Sequence, residues 1–183
     1  MRRIAYLSGE VRCLLSELDE ALSVFSGQID TSCPPGCITC CRYPDVQATV
    51  LEFLPLACRL LEEGRAESIL DRIEHQPETL PGCVFADETG CPVYQDRGLI
   101  CRLFSASVRV DRLGRLEYVA CAILHTRHGR HLPAETLPPV MTDWGLRLEA
   151  IDPVLGSHWY PVNEAIRRAL EMVLYSNHLD QAG

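Results

Sequence analysis

The chain has 183 residues, of which 47% are hydrophobic and 23% charged, with 17 Lys and Arg against 25 Asp and Glu for a net charge of −8. That length supports one domain with a core of its own. The composition excludes whole-chain disorder and fibrous classes, and the acidic balance argues against general nucleic-acid binding, which calls for a basic surplus.

In chain order, Ile4, Leu7, Val11, Leu14, Leu15, Leu18, Leu22 and Phe25 recur at threes and fours, which predicts an amphipathic helix over residues 3–26 with Gly27 as its stop. The basic start Met1-Arg2-Arg3 is followed by Ser8-Gly9-Glu10-Val11-Arg12, which puts charge where a signal peptide needs an apolar run. No run of about 18 apolar residues occurs, so no transmembrane helix is expected. The expectation is a cytoplasmic protein with no membrane contact, in a compartment that keeps thiols reduced.

Pro34-Pro35-Gly36 makes the segment after Thr31 a loop. Residues 46–62 read as helical, with Pro55 as an interruption or as the first turn of a second helix, and residues 65–75 read as a short helix. Between Leu80 and Arg102, Pro81-Gly82, Thr89-Gly90 and Arg97-Gly98 leave no stretch long enough for a helix, so loops with short extended pieces are expected. The alternating segments 107–111 and 115–119, joined through Gly114, predict a β-hairpin. Residues 125–133 read as a polar His/Arg loop, and residues 137–150 and 161–176 as two closing helices, with Pro161 in the first turn of the second. The predicted fold class is mainly α with a small β-hairpin (α+β). It is a single compact domain over 1–183, made of an N-terminal helix (1–28), a cysteine-rich core (30–122) and a C-terminal helical tail (132–178).

The unusual quantity is ten cysteines, four of them between Cys33 and Cys41. Cys58 is in phase with Leu54, Ala57 and Leu61, and Cys13 lies inside the first helix without a partner; both read as buried free cysteines, small hydrophobes in effect. The other eight, Cys33, Cys37, Cys40, Cys41, Cys83, Cys91, Cys101 and Cys121, fall in loop-rich segments. A metal centre needs several soft thiolates converging from adaptable backbone, so these eight are the candidate metal ligands. Disulfides would need an oxidising compartment. Adjacent cysteines such as Cys40 and Cys41 do not easily bridge each other, but can point to opposite sides of a loop and serve different centres. Zinc typically takes two CxxC knuckles, and only Cys37-x2-Cys40 fits one. The irregular spacing suits an iron–sulfur cluster, most simply [4Fe–4S], with zinc as the alternative.

Around these ligands, Arg97 and Arg102 are candidates to offset thiolate charge, and Tyr94 to donate a hydrogen bond to a cluster sulfur. These three are the candidate cofactor-binding residues; a surface ion pair with Asp96 or Glu88, and ordinary aromatic packing, are the plainer readings. His125, His128 and His131 follow Cys121 at three-residue intervals and are possible further ligands, though Arg127, Gly129 and Arg130 give the segment the look of a solvated loop. Trp144, Trp159 and Tyr160 read as packing residues of the tail. No nucleophile elbow, phosphate-binding glycine loop or H-E-x-x-H motif occurs, so no catalytic residue is named.

Cys33-x3-Cys37-x2-Cys40-Cys41 resembles the signature of the bacterial CxxCxxCC family of zinc- or iron-chelating proteins, the YkgJ family. Tyr94, Arg97, Cys101, Arg102 and Phe104 fit that family's second pattern, which ends in Cys-Arg-x-Phe-Pro. The departures are one extra residue in the first cysteine spacing, Gly98 where proline is usual, and Ser105 where a second proline is usual. The likeness covers about residues 30–122. It implies a metal-binding domain, and one branch of the family is similar to flagellin lysine methylases, which carry an iron–sulfur cluster and use S-adenosylmethionine. The functions in competition are a cluster protein serving electron transfer to a redox or protein partner, a zinc-bound interaction module, and an S-adenosylmethionine-dependent methyl-transfer enzyme.

Overall fold

A computed structural model of the chain describes residues 1–31, 33–77, 82–104, 106–128 and 137–182. The N-terminal periodicity becomes α1 (Arg2–Ser26), which buries Ile4, Leu7, Val11, Leu14, Leu15, Leu18, Leu22 and Phe25. Each such burial stabilises by about 1.5–3 kcal/mol. The stripe packs on α2 (Leu54–Glu62) and α6 (Met141–Ile151). α2 is entered through a 3-10 turn at Leu51–Phe53 and carries Pro55 in its first turn, where a missing N–H goes unnoticed. α3 (Ala66–Glu74) follows as expected. α8 (Val162–Ala182) lies across α2 and α3 and buries Ala165, Ile166, Ala169, Leu170 and Val173. The segment read from sequence as a tail is thus a wall of the main core.

The start of the 46–62 segment is not helical. Gln47–Thr49 forms β1, paired antiparallel with β4 (Trp159–Pro161) in the register Gln47↔Pro161, Ala48↔Tyr160, Thr49↔Trp159. Two three-residue strands joined across more than 100 residues leave no local periodicity to read. Pro161 ends β4 instead of opening the last helix, and the Val162 N–H extends the ladder by donating to Val46 O at 3.0 Å. Trp159 and Tyr160 therefore belong to a sheet.

Four more helices or starts differ from expectation. Leu99–Leu103 is a short helix, α4, in a segment read as loops; burial of Leu99 and Leu103 holds it, since five residues are too few to be stable alone. Residues 125–128 of the expected polar loop belong instead to helix α5 (Ala122–His128), anchored by Leu124; residues 129–133 of it lie outside the described residues. α6 begins at Met141 rather than 137, because Val140 bridges Val108 and Pro139 O accepts from the Val108 N–H at 3.0 Å. Asp152 then caps α7 (Pro153–Gly156), accepting from Val154 N at 3.0 Å and Leu155 N at 3.1 Å.

The hairpin forms as predicted: β2 (Ser107–Val110) pairs with β3 (Leu116–Val119) from Ser107↔Val119 to Val110↔Leu116. The Asp111 carboxylate closes its turn by accepting from the N–H groups of Leu113 and Arg115, both at 2.8 Å. The molecule is a mainly helical α+β fold with two small antiparallel sheets. Among the described residues no helix is long and apolar enough to cross a membrane.

Candidate metal centre

Three pieces of backbone bring the thiols together. The first is the Pro34-Pro35-Gly36 loop, closed by the Cys37 N–H donating to Pro34 O at 3.0 Å and leading into a 3-10 turn at Cys40–Arg42. The second is the loop from Cys83 to Asp96. It is tied to the first by the Cys83 N–H donating to Cys41 O at 2.8 Å. Gly82 makes that approach possible: its φ is +125°, and a Cβ there would stand 2.4 Å from Cys41 O. The same loop is anchored to the helices by Arg72 donating to Val84 O and by the Val84 N–H donating to Asn163 Oδ1, both at 2.8 Å. The third piece is α4, which carries Cys101.

Seven of the eight predicted ligands, Cys33, Cys37, Cys40, Cys41, Cys83, Cys91 and Cys101, line one cavity of about 50 Å³. A single water needs only ~10–15 Å³ on this measure. The remaining walls are largely apolar and include Phe53, Leu56, Phe85, Val93, Val162 and Ile166. Cys121 is outside this lining but close enough to Cys33 for a thiolate there to disfavour ionisation of Cys33. Cys40 and Cys41 do not face opposite sides of their loop: both line the cavity, and their thiols are hydrogen-bonded to each other. Among the described residues, no three His, Cys, Asp or Glu side chains form a group that meets the geometry for one metal ion.

Charge in the cavity is uneven. The hydrogen bond from Cys41 holds the Cys40 thiol well below its ordinary pKa against the cost of burial, and Arg97 adds to the effect. As the donor in that bond, and through burial, Cys41 is pushed far up. Burial pushes Cys83 up to about 11 and Cys101 well above its usual value. Burial likewise raises Cys33 and Cys91, with the positive charge of Arg97 opposing it. Most of these thiols thus hold their protons more tightly than free cysteine does. A metal entering the cavity must displace those protons, so uptake is coupled to proton release.

The accessory residues divide. Arg97 and Tyr94 line the cavity; the guanidinium stacks 3.5 Å from the Tyr94 ring centroid, and its Nε donates to Tyr94 O at 3.0 Å. Tyr94 is 44% exposed, so it stands at the cavity mouth rather than in the core. Arg102 takes a different place. It is buried against α1, ion-paired with Asp19, and donates to Gln95 O at 2.7 Å and Arg97 O at 2.9 Å, which fixes the turn before α4. His125 packs edge-on against Tyr118 with ring centroids 5.5 Å apart, and His128 is hydrogen-bonded to Asp30 O. Neither lines the cavity, and His131 lies outside the described residues. Cys58 is buried on the core face of α2 as expected, whereas Cys13 is exposed because it falls off the apolar stripe of α1.

One residue of the site escaped the sequence reading. Glu52 is 1% exposed; the adjacent Phe53 lines the cavity, and the Glu52 charge acts on Cys101. Its Oε1 accepts from Thr49 N at 2.8 Å and Thr49 Oγ1 at 3.2 Å, and the Glu52 N–H donates to Thr49 Oγ1 at 3.4 Å. That is a capping box, and Thr49-x-x-Glu52 ahead of an apolar run was its visible signal. Its Oε2 accepts from Ile100 N, in the first turn of the helix bearing Cys101, at 2.9 Å. Comparison of the chain with family models, with curated proteins and with solved structures finds no match.

Proposed function

We propose that this chain is a cytoplasmic cysteine-cluster metalloprotein that binds an iron–sulfur cluster, of the [4Fe–4S] type, through its loop thiols, for electron transfer or cluster-dependent chemistry. The observation that carries the reading is the single cavity lined by seven cysteines. The donor set fits: an iron–sulfur cluster is held by four thiolates, and seven cysteines line the cavity. The resemblance to the CxxCxxCC family points the same way. The group would supply one-electron redox chemistry. The protein's own residues do the rest: the two loops and α4 present the thiols, Arg97 offsets thiolate charge, and the apolar walls limit water, a factor that sets the potential of such centres.

The test is iron, sulfide and zinc content with a visible spectrum on protein purified without oxygen. Brown protein carrying iron and sulfide together is the expected result; colourless protein with stoichiometric zinc and no iron would overturn it. Cys37→Ala, Cys40→Ala, Cys41→Ala and Cys101→Ala should each lower iron per chain, while Cys13→Ala and Cys58→Ala should not. Equal iron in all six would remove the ligand assignment. A spectral change on adding S-adenosylmethionine would move the reading from electron carrier to methyl-transfer enzyme.

A further inference from the structure

The core of the fold holds a carboxylate that needs an explanation. A buried charge is costly unless every lone pair finds a donor. Glu52 meets that condition with one oxygen on each of two elements: Oε1 closes the capping box with Thr49, and Oε2 takes the Ile100 N–H of α4. All of these partners donate. The Thr49 hydroxyl accepts from the Glu52 N–H and donates to Oε1. Burial pushes the Glu52 carboxyl's pKa up, and these donors oppose it by stabilising the ionised form. Gly98 is shaped around it: a Cβ there would stand 2.7 Å from Oε2 and 3.0 Å from the Phe53 ring.

We propose that Glu52 is the positioning residue of the thiol cavity: it sets the place of Cys101 and, held by these donors, brings a carboxylate close to the metal centre. The charge half rests on the metalloprotein reading above; the positioning half does not. The two roles come from the same contact. Capturing the N–H of Ile100 fixes the first turn of α4, and with it the residue that follows. A carboxylate in the low-dielectric interior, close to a centre that gains an electron on reduction, makes that reduction less favourable. A ligand-supporting contact of this kind is worth about 10–100-fold in metal affinity.

The test compares the full-length chain with Glu52→Gln and Gly98→Ala, all purified without oxygen. Three quantities are read: iron and sulfide per chain, the midpoint of a reductive titration followed by the visible spectrum, and the alkylation rate of Cys101 relative to exposed Cys13. Glu52→Gln keeps the shape but loses the charge and one acceptor. Its midpoint should move to more positive potential, its metal retention should weaken about 10-fold, and Cys101 should alkylate faster. Gly98→Ala keeps the charge but displaces Oε2, so retention should weaken without the positive shift. A merely structural role for Glu52 would weaken both variants and leave the midpoint of the retained cluster unchanged. Wild-type midpoint and wild-type Cys101 alkylation in Glu52→Gln would overturn the proposal. If Glu52→Gln fails to fold, Gly98→Ala decides, and wild-type retention and alkylation there would sink the positioning role. If the wild-type chain carries no iron, the metalloprotein reading and the charge role fall together. Cys101 alkylation then still tests the positioning role on its own.

Discussion

The helical core and the thiol-lined loops lie side by side and share Val162 and Ile166, yet different forces hold them. In the core, α1, α2 and α8 bury leucine, isoleucine, valine and alanine against one another, and Leu18, Leu51, Leu54, Leu60 and Leu170 are fully enclosed. Those contacts are numerous, non-directional and complete without any guest. The loops send only a few side chains, Val84, Phe85 and Val93, into that core. The rest of their order comes from single directed bonds, such as Cys83 N to Cys41 O, Arg72 to Val84 O and Ile100 N to Glu52, and from a glycine that allows close backbone approach. The loops enclose polarizable thiols around free volume; on the proposed metalloprotein reading, much of their stability comes from the bound group.

That contrast can be tested by asking which property each substitution moves. Leu18→Ala removes a fully buried side chain of α1 and should destabilise the fold by about 2–5 kcal/mol. Thermal or denaturant unfolding reads the loss, and iron per folded chain should stay at the wild-type level. If the iron were lost with it, the two regions would be one cooperative unit. Gly82→Ala should do the reverse. Its positive φ and the clash with Cys41 O cost about 1–3 kcal/mol, and metal analysis should show the larger change because the strain falls on the loop junction. Arg109→Ala breaks the exposed Arg109–Glu117 pair of the hairpin. It should cost less than about 1 kcal/mol and leave metal content alone; a larger loss would mean that the hairpin supports the cavity.

The parts of the fold legible in the sequence are those whose signal is local. α1 and α3 are written as 3.6-residue periodicity, and the hairpin as alternation around Gly114. The parts that were not legible depend on distant partners. β1 exists because β4 pairs with it from the far end of the chain. α4 is five residues long and relies on Glu52 to accept one of its N–H groups. α5 looked like a polar loop because His125, Arg127 and His128 mask a single buried leucine, and Arg127 and His128 are held by Asp30 almost a hundred residues away. At the site, composition and spacing marked all eight cysteines alike. They had no means of separating Cys121 from the other seven, because the cavity is assembled from three segments and Cys121 lies next to it on a fourth.

Residue chemistry and short-range pattern thus sufficed for the class of fold, the amphipathic frame and the pool of candidate thiols. These properties belong to single residues or to a few turns of chain. Which thiols share a cavity, which arginine faces it, and which carboxylate stands behind it emerged only from the folded chain. Arg97 and Arg102 are five residues apart, and one stacks at the cavity mouth while the other is buried against Asp19. Contacts of that kind are chosen by packing between segments far apart in sequence, where a shift of a few ångströms exchanges one partner for another.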